Sequence, residues 1–363
     1  MLHTEVRPHL PFTTLRWLTL WWQHFGEQRA LIRDEFFVHS LRDAQGRLVA
    51  LAPLMLTARP GLGPLRSRRL AFFGSDRNLT ELRGLLCHPD AEADAVEALL
   101  GYLLSRKREW DWFIWSGVRQ GSQAHASLSR TEGFNWQHEI PDCIVPLPNS
   151  WQEFRSTRSR NIKESLRKCY NSLKRDGHDF RFNVANSAQV LPGAVERFLA
   201  LHSARAKAPG LFPHANVFAS ERAQAFLSAL ANQPLESPHL HVFELEIAGR
   251  VVASRLGFLL GDELYLYFSG FDPNWARYSV MTTVVAESIK WAIERGCRLV
   301  NLSPGSDVSK TRWGAAIVSY ASGVLVSPTR RGRLTFDALH ELDQSTSAAS
   351  LLGRMFALAR RHV

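Results

Sequence analysis

Glu263-Leu-Tyr-Leu-Tyr-Phe-Ser-Gly-Phe271 runs directly into Asp272-Pro-Asn-Trp-Ala-Arg277, and the two segments together decide the fold. In the first, Leu264, Leu266 and Phe268 alternate with Tyr265, Tyr267 and Ser269, a period of two that predicts a half-buried strand. The second leads into a predicted helix from Tyr278 to Arg295. Its polar stripe is Thr283, Glu287, Lys290 and Glu294, while Met281, Val284, Val285, Ser288 and Trp291 turn the other way. Gly296 stands where a helix C′ glycine belongs. Cys297–Ser303 reads as a second strand, ended by Pro304-Gly305. Such a strand–turn–helix–strand unit aims a helix N-terminus past the end of the first strand, and helix N-termini receive anions.

The chain is 363 residues long, enough for two domains with separate cores. Hydrophobic content of 45% with 21% charged residues is that of a soluble globular protein. No stretch approaches the roughly 18 apolar residues of a membrane span. Leu15–Phe25 is apolar and aromatic, but Arg16, Gln23 and His24 interrupt it, which suits an amphipathic helix better than a signal peptide. Cys87, Cys143, Cys169 and Cys297 are scattered without Cys-x-x-Cys spacing, so a cytoplasmic location is expected. His202, His214, His239 and His241 show no ligand spacing, so no metal is expected, and there is no Gly-x-Ser-x-Gly elbow or P-loop. A net charge of +10 fits acidic carrier proteins, nucleotide phosphates, RNA or anionic membrane without choosing among them.

The two halves echo each other. Phe37–Arg47 followed by Leu48–Leu56 reads as strand, turn, strand, and so does Val242–Arg250 followed by Val251–Leu260; both pivot on Gly-Arg. Ala71–Asp76 mirrors Phe268–Asp272, and Trp110–Gly117 mirrors Cys297–Gly305. Duplication of one α/β unit is the economical reading. It divides the chain into residues 1–150, a basic bridging helix at 151–176, a second unit at 177–335 and a helical tail at 336–363, with Leu351, Leu352, Met355 and Leu358 at helical spacing. The first copy is read as a scaffold, because Cys87-His88-Pro89-Asp90 precedes its helix in place of a small-residue turn. The bridge carries Arg155, Arg158, Arg160, Lys163, Arg167, Lys168, Lys174 and Arg175 on an amphipathic frame. It is either a solvated face or an anion-binding one.

The phrase from Tyr265 to Gly314 resembles the acyl-donor core of GNAT-fold acyltransferases. More narrowly, it resembles the branch of cellulose-biosynthesis (CelD-type) proteins and Fem aminoacyltransferases. In that branch a Gly-aromatic-Asp phrase, here Gly270-Phe271-Asp272, leads into the donor-binding helix. A Gly…Lys-x-x-aromatic-Gly loop, here Gly305, Lys310, Trp313 and Gly314, follows the next strand. Pro11-Phe12, Trp17, Trp21-Trp22 and Phe25-Gly26 are similar to the family's opening helix, and Ser156, Arg160 and Lys163 partly match a basic phrase in the bridge. The resemblance implies an α/β fold of two tandem GNAT-like domains with mixed central sheets flanked by helices. It implies an N-acyltransferase that moves an acyl group from an acyl thioester, acyl-CoA or acyl carrier protein, to an amine of an amino sugar, amino acid or peptide. Tyr278, Ser279, Val280, Met281 and Thr282 would face the donor, with Asn301, Ser303, Trp313 and Arg160 around it. Ser279-Val280-Met281 stands where most such proteins carry glycines for close approach to a pyrophosphate, which shifts weight from coenzyme A toward a carrier protein. Two alternatives stay open: a Fem-like transferase using aminoacyl-tRNA, and a binding or assembly protein without chemistry.

Acyl transfer requires deprotonation of the amine, stabilisation of an oxyanion and protonation of the leaving thiolate. Lys310, in the loop after Ser303, is the candidate for the oxyanion or a donor phosphate. Asn301, Ser303 and Asp307 share that strand end, where open α/β sheets place ligands. Tyr267 or Tyr278 is a candidate acid, although a strand tyrosine also suits the core; Tyr267 and Ser269 are expected to share a face. Arg255 interrupts the apolar Val251–Leu260 and offers a fork for an acceptor carboxylate or phosphate. Glu244 and Glu246, on the partner strand, are expected to pair with Arg255 or to act as base.

Overall fold

A computed structural model describes residues 9–344, apart from 31, 60–66, 77, 209–214 and 233–238 and from the side chains of 339–344. In chain order the elements are α1 (Leu15–Phe25), β1 (Gln28–Arg29), β2 (Ile32–Arg42), β3 (Leu48–Arg59), β4 (Ser67–Phe72), β5 (Leu86–Cys87), α2 (Glu92–Ser105), β6 (Trp112–Arg119), α3 (Gln123–Ser129) and β7 (Phe134–Pro146). Then come α4 (Trp151–Thr157), α5 (Arg160–Arg175), β8 (Phe180–Ala185), α6 (Leu191–Lys207), α7 (Glu221–Ala231), β9 (His239–Ile247), β10 (Arg250–Leu260) and β11 (Glu263–Phe271). The last are α8 (Val280–Glu294), β12 (Leu299–Pro304), α9 (Val308–Thr311), β13 (Ala316–Val326) and α10 (Arg330–Gln344). The tail positions Leu351 to Leu358, and His214, lie outside the described residues.

Two compact units emerge, both discontinuous: Phe25–Glu139 with the segment from Tyr320 onward, and Arg7–His24 with Ile140–Ser319. In the second unit the strand order is β8-β9-β10-β11-β12-β7, antiparallel except for β11 and β12. A parallel pair needs a crossover, which α8 supplies. β11 and β12 are bonded only at Glu263/Leu299, Leu264/Val300 and Tyr265/Asn301, after which they part. Val284 and Ile289 of α8 share one core with Ile162, Leu166 and Leu173 of α5 and with Leu264, Leu266 and Val300 of the sheet. Gly296 takes φ +71 and closes α8 as its sequence predicts. Thr283, read as part of the exposed stripe, is buried instead.

Two local irregularities revise the sequence reading. Opposite Arg255 and Gly257 of β10 stand Ser269 and Leu266 of β11, so β11 carries an extra residue there. Directly opposed residues share a face, so Ser269 lies with Leu266 and not with Tyr267. The bridge is likewise two helices and not one. Arg158 takes extended backbone between α4 and α5 and folds its side chain back over the Phe154 ring at 4.5 Å.

The first unit repeats the plan. Its order is β1-β2-β3-β4-β6-β13, with β4 and β6 parallel and bonded only at Arg69/Trp112, Leu70/Phe113 and Ala71/Ile114. Helix α2 makes the crossover, and Val96, Leu99 and Leu103 pack on Leu54, Leu70 and Phe72. Here the gap is closed from within: a Cβ on Gly117, at φ +72, would lie 2.0 Å from the Arg83 carbonyl oxygen. Each unit borrows its final strand from across the chain. β13 pairs with β6 from Tyr320/Arg119 to Val326/Trp112, and β7 pairs with β12 from Asp142/Pro304 to Pro146/Leu299.

Candidate active site

The open end between β11 and β12 is bounded on one side by the start of α8. Asp272 caps a short 3-10 turn, Pro273–Tyr278, by accepting from the Asn274 N–H at 3.0 Å. Ser279 then takes φ +54, left-handed backbone that is costly for a residue with a Cβ, and turns the chain into α8. Its carbonyl accepts from the N–H groups of Thr282 at 2.8 Å and Thr283 at 3.3 Å. The Thr282 amide is therefore already engaged, and Val280 and Met281 begin the helix ahead of it. Tyr278 is buried; its hydroxyl donates to Asp176 at 3.0 Å and accepts from Arg277 at 2.7 Å, a packing role.

At the other side β12 ends on a second left-handed residue, Ser303, at φ +69. Its N–H donates to Asn301 Oδ1 at 2.7 Å, and Asn301 Nδ2 donates to Asp142 Oδ2 at 2.6 Å. Asp142, on β7 opposite Pro304, is fully buried, and its Oδ1 makes no hydrogen bond. Burial pushes its carboxyl up to about 6, against the Asn301 bond and the Lys310 charge. Lys310 Nζ donates to the Ser303 carbonyl at 3.2 Å, to the Ser303 hydroxyl at 3.1 Å and to the Pro304 carbonyl. An ammonium has three N–H donors, so these contacts occupy it. Lys310 pins the turn; reaching a substrate requires it to release one of them.

Three half-buried arginines complete the surroundings. Arg312 donates to Thr282 Oγ1 at 2.8 Å, Arg205 donates to Ser269 Oγ at 2.7 Å, and Arg158 donates to the Trp313 carbonyl. The acceptors of these three bonds are neutral. Burial lowers all three guanidinium pKa values; Asp307 opposes this for Arg205, and Cys169 and Asp307 do so for Arg312. Partial burial works to raise the Asp307 carboxyl, but its Ser309 bonds and the Lys310 charge outweigh it and leave it below the usual range. Asp307 thus feels Lys310, Arg205 and Arg312 together, beside a helix start that itself favours negative charge. The arrangement suits an anionic donor.

Other residues singled out in the sequence lie elsewhere. Tyr267 is enclosed by Phe12, Trp17, Phe258 and Phe268. Glu244 is buried and takes a two-pronged bond from Arg197 of α6, at 2.8 and 2.9 Å. It cannot meet Arg255: Glu244 stands opposite Ser254, whereas Arg255 stands opposite Phe243, one residue on and so on the other face. Glu246 accepts from Asn183 at 3.0 Å, and Arg255 donates to the Leu266 carbonyl at 3.4 Å. Arg160 is exposed and paired with Glu164 at 2.7 Å. Trp313 is buried and serves through its carbonyl. Asp142 and Arg205 escaped the sequence reading. Nothing near either in the chain marks it; their partners, Asn301 and Ser269, are 159 and 64 residues away. Among the described residues His9, Asp262 and Glu263 cluster as metal ligands would, but Arg298 already donates to both carboxylates.

Residues 160–311, within the second unit, match the sequence profile of the acetyltransferase (GNAT) domain. No curated protein matches the chain. Among solved structures it is similar to one described as FemX, with a TM-score of 0.59 at 11% identity over 88% of this chain and 94% of that one. It is also similar to L-PGS from Bacillus licheniformis, with a TM-score of 0.50 at 13% identity over 90% of this chain and 96% of that one. The fold is therefore α/β with tandem GNAT-like units: the second carries the profile match, and the first repeats its topology. No helix among the described residues is long and apolar enough to cross a membrane.

Proposed function

We propose that this protein is an N-acyltransferase whose donor, an acyl thioester of coenzyme A or of an acyl carrier protein, lies in the open end between β11 and β12. The observation that carries the reading is that Arg312, bonded to Thr282 at the α8 start, and Arg205 share the charge of Asp307 with Lys310, while Lys310 and Asn301 both bond Ser303 beside the buried Asp142. In this reading Arg312 and Arg205 hold donor phosphate and Lys310 keeps the Ser303 turn in place. The acceptor amine attacks the thioester carbonyl carbon, the C–S bond breaks, and Asp142 takes the amine's proton while the thiolate leaves. A carboxyl near 6 is ionised and weakly basic at neutral pH, which suits that task. The acceptor would be an amino sugar, amino acid or peptide amine. A cytoplasmic setting fits the four cysteines, all buried free thiols.

A second reading has one observation of its own. Arg167, Lys168 and Lys174 are exposed on α5, a cationic face suited to the phosphodiester backbone of an aminoacyl-tRNA donor. Thermal unfolding with acetyl-CoA, long-chain acyl-CoA, acyl carrier protein and aminoacyl-tRNA tests both, because a true donor stabilises the native state. Stabilisation by a thioester supports the first reading, and stabilisation by aminoacyl-tRNA alone supports the second. No shift with any of them leaves the protein a binding or assembly factor.

A further inference from the structure

Unit 1 carries a cationic cluster that the donor reading does not use. Asp34, Thr57 and Arg69 stand in one row across β2, β3 and β4, on the face turned away from α2. Arg59 stands opposite Ser67, one diagonal step from Arg69 on the same face, a separation of about 7–8 Å. Arg83 comes in from the segment after β4, its guanidinium donating to the Gly74 carbonyl and to the Asp76 carbonyl at 3.1 Å. The charges of Arg59 and Arg83 both act on Arg69.

Arg69 is the informative member. Its Nε is sealed from solvent without a hydrogen-bond partner, and among the described residues no group accepts from its guanidinium. Asp34 acts on Arg69 through its charge, but its oxygens accept from the Thr57 hydroxyl at 2.7 Å and the Glu27 N–H at 2.9 Å and not from Arg69. Residues 60–66, which connect Arg59 to β4, contain no acid. Burial pushes the Arg69 guanidinium down to about 10. A planar five-donor group held among like charges, with no acceptor among the described residues, matches the fork geometry of phosphate or carboxylate.

We propose that this face of unit 1 binds a multivalent oxyanion, the phosphate or carboxylate end of a small molecule, gripped by Arg69 with Arg59 and Arg83 beside it. The site is made by unit 1 alone and stands or falls separately from the donor site of unit 2. Inorganic pyrophosphate and citrate are the probes, titrated calorimetrically into the full chain as wild type, Arg69→Met, Arg69→Lys and Arg205→Gln/Arg312→Gln. Wild type and the double variant should share a binding event that Arg69→Met weakens at least tenfold. Arg69→Lys keeps the charge without the fork and should weaken it about threefold, which also covers the case that Arg69→Met does not fold. Preference for pyrophosphate would mark a phosphorylated ligand, and preference for citrate a polycarboxylate. The proposal is overturned if neither probe binds at millimolar concentration, or if the Arg69 variants that fold titrate like wild type.

Discussion

Lys310 closes on Ser303, ammonium to hydroxyl at 3.1 Å and ammonium to carbonyl at 3.2 Å, so a side chain seven positions later holds a left-handed residue at the end of β12. The strained turn and the lysine are one device. Without the cation, the Ser303 and Pro304 carbonyls lose a charged donor and Ser303 loses its restraint.

Lys310→Met should therefore lower stability by about 2 kcal/mol, the scale of hydrogen bonds from a charged group. It should lower acyl transfer at least tenfold. Ser303→Gly, which adopts positive φ freely, should recover part of the stability in the double variant. Denaturant melts of the four species check the coupling. Rescue of stability without rescue of turnover would assign Lys310 a direct contact with substrate.

Asp142 makes a prediction about pH. Its folded pKa of about 6 exceeds the ordinary aspartate value of 3.8, so between those values the folded state binds more protons. Stability from this group is greatest below about pH 4 and is lost as pH rises through about 6. Asp142→Asn removes that loss. The variant should be more stable than wild type at pH 7, by up to about 3 kcal/mol at 1.36 kcal/mol per pKa unit, with the gain vanishing near pH 4. Its acyl transfer should fall at least tenfold at neutral pH. Equal stability of the two proteins across pH 4–8 would contradict the assignment.

Gly270 is where β11 touches α6. A Cβ there would lie 2.3 Å from the His202 backbone nitrogen and 2.6 Å from the Leu201 carbonyl carbon, rigid atoms that cannot step aside. Gly270→Ala should cost about 3 kcal/mol or more, at the upper end for overpacking. A thermal melt unchanged within a degree would show that α6 yields.

The exposed face of α5 predicts a salt effect. Replacing Arg160, Arg167 and Lys168 together by Gln should raise the apparent donor constant more than it lowers turnover. The difference should shrink as salt rises, because exposed charges are screened over about 8 Å at physiological ionic strength. Donor titrations at low and high salt measure it. Unaltered donor binding at low salt would make the face a solvated surface only.

Much of the second unit could be read from the chain. Alternation in Glu263–Tyr267, the break at Pro304-Gly305 and the stop at Gly296 are local signals, and the strands and α8 follow them. What failed was non-local or subtractive. Period two cannot reveal an inserted residue, so the bulge after Leu266 moved Ser269 away from Tyr267 unseen. Glu244 looked free for Arg255 because Arg197, its true partner, sits 47 residues earlier on a helix whose facing side the chain does not announce. Asp142 carries no signal in the chain; its importance comes from β7 lying beside β12, a pairing no local pattern encodes.

That pairing also orders the assembly of the protein in time. A chain emerging from the ribosome has made β7 before it makes β12, so unit 2 can complete its sheet as soon as Pro304 is available. Unit 1 must wait with one edge of β6 unpaired until Tyr320–Val326 has been synthesised, after all of Ile140–Ser319. Trp112–Arg119 thus passes through synthesis as an open strand edge, the feature that invites pairing with another chain. The half that is older in the sequence is the last to be sealed.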